Sequence, residues 1–244
     1  TVRGAQPDGY TLLLSSASLV PLALVKKPPP FDLRTDFTPV SKIAPADWAM
    51  YVSGSVPVGT VREFVAYAHA NAGKVSYASS TLIDFMAAEK FMKATGTSLT
   101  KVPYKGVGQA MPDLIAGRVH VNFSPVSALG LQYAKAGQLR MLAVMSRQRS
   151  SVAPDVPTLA EAGVSGVSVQ GWLAVHAPAN TPKSVVDRLH AGIEAALADA
   201  HARSLLMHQS VQAEPSTPQA LAALIEEDFR TWSGFIRESG LLPE

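Results

Sequence analysis

Cysteine is absent from the 244 residues, which removes disulfides, thiol nucleophiles and Cys-based metal sites at once. That lack suits an oxidising compartment such as a bacterial periplasm, where a stray thiol is at risk. A strong charge imbalance is missing too, since 21 Lys and Arg face 19 Asp and Glu and leave a net charge of +2. Lys26-Lys27, the nearest approach to a basic run, is followed by three prolines and reads as a solvated loop. A polyanion would require a basic stripe, so nucleic acid is not an expected partner. No apolar stretch approaches the roughly 18 to 20 residues needed to span a bilayer. Tyr10 to Val25 comes nearest, and three serines and Pro21 break it. Thr1-Val2-Arg3-Gly4 lacks the apolar core of a signal peptide.

The chain does have ample apolar material, 47% hydrophobic against 16% charged residues, enough for one large domain or two lobes of ordinary size. Short apolar strands alternate with amphipathic helices. Pro7-Asp8-Gly9 turns into a strand at Tyr10 to Leu14, and Phe37 to Ile43 and Trp48 to Val52 read as two more. Val61 to Ala72 is a helix, followed by a strand at Lys74 to Ala78, a helix at Asp84 to Ala94 and a strand at Leu99 to Val102. Gln109 to Ala116 is a helix that Gly117 ends in the left-handed position. A strand at Val119 to Phe123, a helix at Ser127 to Ala136 and a strand at Leu139 to Met145 continue the alternation. Parallel strands with crossover helices are the expected product. Past Pro154 come a short helix at Thr158 to Ala162, a long extended run at Val167 to His176, and helices at Pro182 to Ala198, Ala200 to Gln209 and Pro218 to Glu238.

Two proline-bearing stretches, Ser55 to Gly59 and Ala177 to Pro182, each follow an extended run. They suggest two crossings between a middle lobe, residues 57–174, and an outer discontinuous lobe, residues 1–56 plus 175–244. Two crossing strands make a hinge of the kind found in Venus-flytrap proteins, which close over a ligand.

Catalytic signatures are scarce. No dinucleotide or phosphate-loop pattern occurs, and Gly106-Val107-Gly108 is a fragment without a third glycine. At a helix start it reads either as an anion cradle or as a plain turn. None of the histidines His69, His120, His176, His190, His201 and His208 forms a tight metal-binding pair. Asp84 reads as an acid placed by a helix dipole rather than a general base. No catalytic residue, metal or cofactor is therefore expected.

The loops that follow strands are more informative, because open α/β sheets bind ligands at the carboxyl ends of their strands. Ser15, Ser16 and Ala17 follow the first strand, and Ser79, Ser80 and Thr81 follow another. Tyr104, Lys105 and Gly106 follow Val102, and Ser124 and Pro125 follow Phe123. One such loop alone would be read as a helix cap, whereas four in succession point to a shared cleft rich in hydroxyls and free N–H groups, suited to a carboxylate. The Lys105 ammonium fits a surface role and its neighbouring backbone a ligand role. Trp172 reads either as a cleft wall or as hinge packing.

These residues resemble the Bug receptors, the substrate-binding proteins of tripartite tricarboxylate transporters. The resemblance rests on Ala5 to Leu13, Asp36 to Val40, Val102 to Gly106, Asp113 to Val119, Ala136 to Val144 and Pro154 to Gly163, in that order and spacing. It implies a two-lobed type II periplasmic-binding-protein fold that captures a small organic acid for membrane transporter subunits without itself spanning the membrane. Two departures from the family pattern stand out. A strand, Gly-rich loop and helix expected before Pro7 are missing, which implies an incomplete pocket, an exposed first-lobe edge and a tendency to associate. The loop after Ala78 is short, with Phe85 near a position where His is often seen, which favours a less polar or aromatic acid. A ligand sensor presenting its closed form to a membrane signalling protein is the alternative, and a serine hydrolase using Ser79 or Ser80 a remote one.

Overall fold

The computed structural model describes residues 1–241, apart from the side chain of Val107. The chain divides into two compact units. Unit 1 comprises residues 1–45 and 171–244, and unit 2 residues 46–170. The crossings thus fall at Pro45–Ala46 and Gln170–Gly171, not at Val56–Pro57 and Ala174–Val175. The reason is that the segments expected as two strands form one, β2 (Phe37–Ser53), which runs through Pro39 and Pro45 from unit 1 into unit 2.

In unit 1, β1 (Leu13–Ser16) pairs antiparallel with β7 (Gln170–Pro178), and β7 neighbours β2. β2 pairs with β5 and β6 only from Trp48 onward, so Pro39 and Pro45 need supply no N–H to those strands. β1 starts later than Tyr10, which is 93% exposed. The turn before it is built by Gly9 at φ +88° and by the Asp8 carboxylate accepting from Tyr10 N at 3.0 Å. α1 (Leu19–Val25) is a helix the apolar pattern did not announce, and it tolerates Pro21 because the first turn needs no N–H there. α6 (Lys183–Ala198) lays Val186, Leu189 and Ile193 on Val40, Val175 and Ala177. α7 (Ala200–His208) follows, and α8 (Pro218–Ser239) buries Leu221, Ile225, Phe229 and Trp232. Arg34, ion-paired with Asp32 at 2.7 Å, caps the Phe229 ring at 4.1 Å.

Unit 2 is a five-stranded sheet in the order β6-β2-β5-β3-β4. Its elements are α2 (Val61–Ala70), β3 (Ser76–Ser79), α3 (Leu82–Thr95), β4 (Thr100–Pro103), α4 (Val107–Ile115), β5 (Val121–Pro125), α5 (Ala128–Lys135) and β6 (Leu139–Val144). β3 runs parallel to β4 and β5, while β2 is antiparallel to β5 and β6. Alternation along β5 splits the core between the two faces. Phe123 meets Phe91 of α3 at 5.4 Å, and Phe64 of α2 lies 6.1 Å from Phe91. The opposite face sets Ala49, Tyr51 and Ala78 under Ala110, Met111 and Leu114 of α4. Gly117 ends α4 at φ +73°, as its position predicts.

The expected helix at Thr158 to Ala162 is only a turn. Thr158 and Glu161 exchange side-chain and backbone hydrogen bonds at 3.1 and 2.8 Å, and Leu159 N donates to Val144 O at 2.9 Å. That last bond ties the segment to β6, and Gly163 at φ +92° closes it off.

Gly130 of α5 permits a close approach. A Cβ there would stand 2.7 Å from the Tyr51 hydroxyl and 3.0 Å from its ring, and Tyr51 is fully buried. Gly130→Ala is expected to lower stability by about 1 kcal/mol, overpacking outweighing the gain in helix propensity. Urea unfolding measures this, and a variant as stable as the parent would mean that the ring has room to shift.

Candidate ligand-binding site

In unit 2, three parallel strands end at one sheet edge, and each runs within a few residues into a helix: β3 into α3, β4 into α4 and β5 into α5. A helix N-terminus offers free N–H groups and the positive end of a dipole. The three are not equivalent. At α3, Thr81 accepts from Asp84 N at 3.2 Å, while the Asp84 carboxylate accepts from Ser80 N, Thr81 N and the Trp48 indole at 3.0 to 3.1 Å. Asp84 is fully buried. Burial pushes its carboxyl above the usual range, and the bonds from Trp48, Thr81 and Ser80 act against that. This helix start already holds its anion.

α4 and α5 differ. Neither has an acid in its first turn. α4 begins at Gly106, which is extended and supplies no side-chain cap, and the Cβ positions of Gly106 and Gly108 face open space. Ser127 caps α5 by accepting from Gly130 N at 3.1 Å. At the ends of β3 and β5, the hydroxyls of Ser80 and Ser124 are buried without a hydrogen-bond partner.

The remaining predicted residues of unit 2 surround the same edge. The Ser79 carbonyl accepts from Tyr104 N at 2.9 Å, tying the ends of β3 and β4 together. The Tyr104 hydroxyl is engaged, donating to Asp113 at 2.8 Å, and Arg118 holds the other Asp113 oxygen at 2.7 Å. Burial, with Asp113 adding to it, pushes the Tyr104 phenol up to about 12. Lys105 is exposed, and Pro125 pairs in register with Trp48.

Ser15, Ser16, Ala17 and Trp172 gather in unit 1 on the β1–β7 pair. Ser15 Oγ donates to Ala174 O at 3.1 Å and lies 3.0 Å from His176 Nδ1. Ser16 and Ser18 hydroxyls are 2.6 Å apart, and Ala17 N donates to Trp172 O at 3.1 Å. Trp172 is 2% exposed, with its indole donating to Asp228 at 2.6 Å; within unit 1 it is packed and anchored. Burial lowers His176 to about 4, and its Nε2 has no partner.

Asn122 and Tyr51 were missed in the sequence. Both are fully buried, and neither amide atom of Asn122 has a partner. The legible signal was an amide inside the apolar run Val119 to Phe123, two residues before Ser124. Among the described residues no group of three His, Asp or Glu is placed to hold a metal ion, and no helix is long and apolar enough to cross a membrane.

Two α/β units threaded by one long strand, with capped helix starts and unpartnered hydroxyls at the ends of parallel strands, have the make-up of a solute-binding protein. Residues 1–241 match the tripartite tricarboxylate transporter family receptor, and the chain belongs to that family. Its relatives include BugT of Bordetella pertussis, 31% identical over 238 residues that cover 96% of this chain and 72% of BugT. A protein of R. palustris solved with adipate superposes with a TM-score of 0.87 at 31% identity, over all of this chain and 82% of its own. The periplasmic binding protein BugD does so with a TM-score of 0.85 at 28% identity, with the same coverage. The fold is that of these binding proteins.

Proposed function

We propose that this chain is a periplasmic receptor that captures a small aliphatic dicarboxylate and delivers it to the membrane subunits of a tripartite transporter. The observation that carries this is the pair of acid-free helix starts at α4 and α5, together with the unpartnered hydroxyls of Ser80 and Ser124 at the ends of the neighbouring parallel strands β3 and β5. A carboxylate has acceptors for exactly such donors and for the dipoles behind them. The adipate held by the relative that is 31% identical supports a dicarboxylate. A receptor fits better than a hydrolase, because Ser80 Oγ has no hydrogen-bonded base to activate it.

Calorimetric titration and thermal shift with straight-chain dicarboxylates of four to eight carbons, citrate and benzoate test the proposal. A dicarboxylate at a hundred times its dissociation constant is expected to add about 2.7 kcal/mol of stability. If none of these acids stabilises the protein, the proposal is wrong.

A further inference from the structure

The start of α4 is held weakly by the helix itself. Gly106 supplies no side-chain cap, and Gly108 is the second residue of the helix. Two glycines so close together leave the backbone there unusually free. Pro112 lies inside the helix and has no N–H to give the Gly108 carbonyl four residues back. Within the first turn, Gln109 N does donate to Gly106 O at 3.0 Å. This is one of the two acid-free helix starts on which the receptor reading rests. Its N–H groups favour an anion only while they are aimed together, so something outside the turn has to hold it in advance of the ligand.

A staple between the residues that flank the turn does this. Tyr104 N donates to Ser79 O at 2.9 Å, which fixes the residue before the loop to the end of β3. The Tyr104 hydroxyl donates to Asp113 Oδ2 at 2.8 Å, across the whole first turn to the far half of α4. Arg118, just past the helix, donates from Nη1 to Asp113 Oδ1 at 2.7 Å and from its backbone N to Asp113 O at 2.9 Å. An acid near a helix C-terminus opposes the dipole, so Asp113 stands where the helix alone disfavours it. The Arg118 guanidinium is exposed, and an exposed pair of this kind contributes little by itself. Val102 to Gly106 and Asp113 to Val119, two of the segments that carry the family resemblance, meet in the contact between Tyr104 and Asp113. Resting on the receptor reading, we propose that Asp113 is a positioning residue for ligand capture. Through the Tyr104 hydroxyl it holds Lys105 to Gly108 in the conformation whose N–H groups receive a carboxylate. Asp113 itself touches no ligand in this role, since both of its carboxylate oxygens are engaged.

The test joins calorimetric titration to amide hydrogen exchange, on the whole chain and on Asp113→Ala, Tyr104→Phe, their double variant and Asp113→Asn. The probe is adipate, or the straight-chain dicarboxylate of four to eight carbons that the parent binds best. Asp113→Ala and Tyr104→Phe are each expected to weaken binding by roughly 5- to 10-fold, the net worth of about one hydrogen bond. The double variant should bind no worse than either single one, because both remove the same contact. Asp113→Asn loses the Arg118 ion pair but keeps an oxygen that accepts from the Tyr104 hydroxyl, and it should return affinity to within about twofold of the parent. Exchange should quicken at residues 105 to 108 and stay at the parent's rate at residues 79 to 81. Tyr104→Phe, which keeps the ring, decides the matter if the alanine variant does not fold. Parent-like affinity in Tyr104→Phe would overturn the proposal, and so would losses that add in the double variant. An Asp113→Asn variant as weak as Asp113→Ala would overturn it too, as would faster exchange throughout unit 2, which would make Asp113 a stabiliser of the fold only. If the parent binds no dicarboxylate, the receptor reading itself falls, and this proposal with it.

Discussion

Replacing Asp84 with alanine is expected to lower the stability of unit 2 by about 3 kcal/mol, or roughly 6 to 12 °C in Tm. The effect is large because one carboxylate satisfies three donors. The Trp48 indole approaches one oxygen at 3.1 Å, and Ser80 N and Thr81 N approach the other at 3.1 and 3.0 Å. Deleting it strands the buried Trp48 N–H and the half-buried N–H groups of Ser80 and Thr81, the buried one worth about 1 to 3 kcal/mol and the other two less, while relief of the buried charge returns part of that. The same carboxylate holds the Ser79–Thr81 loop, whose Ser80 hydroxyl belongs to the proposed site, so dicarboxylate affinity should fall in parallel. Asp84→Asn should recover only part of the loss. In either orientation its NH2 meets a donor, the indole on one side or the loop on the other. Differential scanning calorimetry of both variants, with titrations well below the transition, provides the check. A Tm within a degree of the parent for Asp84→Ala would show that solvent replaces the three bonds.

The alternation of apolar strands and amphipathic helices was legible in the chain because unit 2 obeys local rules almost throughout. Each of α3, α4 and α5 begins after a strand at a Thr, Gly or Ser that reads as a cap, and Gly117 sits where a left-handed residue was required. The errors arose where tertiary pairing overrode local signals. Pro39 and Pro45 look like breaks between two strands, yet β2 passes through both. Thr158 to Ala162 has a capping box but no length, and its backbone is taken by β6 instead. Each crossing between the units lies within an extended run, so the turn residues after the run misplaced it.

For the candidate site, the sequence could mark which loops carry hydroxyls but not which hydroxyls are free. Thr81 and Ser16 look equivalent to Ser80 and Ser124 on paper. In the structure Thr81 is committed to Asp84 N and Ser16 to Ser18, while Ser80 and Ser124 have no partner. Tyr104 lies beside the site in sequence, yet its hydroxyl is held by Asp113 nine residues on. Asn122 and Tyr51 required the register of β2 against β5, a long-range pairing that no local pattern encodes.

A second large effect should come from acid. His176 is fully buried between Phe37 and Trp172, each ring 6.4 Å away, with Ser15 Oγ at 3.0 Å from Nδ1. Burial lowers it to about 4. In the unfolded chain it takes up a proton near pH 6.5. Between those values the unfolded state binds more protons than the folded one, so stability falls as the pH falls. The contribution is whole above about pH 6.5 and is lost progressively down to about pH 4, a total of about 3 kcal/mol. Asp32, Asp113 and Glu161 are held below their ordinary values by Arg34, Arg118 and the Thr158 backbone respectively. What they add is lost only at lower pH, below about 4.5. His120, lowered by partial burial, acts in the same window as His176, whereas Asp84 and Glu89, both raised by burial, act with the opposite sign and offset part of the slope. Urea midpoints measured from pH 7 to 4.5 should therefore slope downward in the parent. In His176→Gln, which keeps a neutral polar partner for Ser15, most of that slope should vanish. An unchanged slope would mean that His176 takes up its proton without unfolding unit 1, with water reaching Nε2 to accommodate the charge.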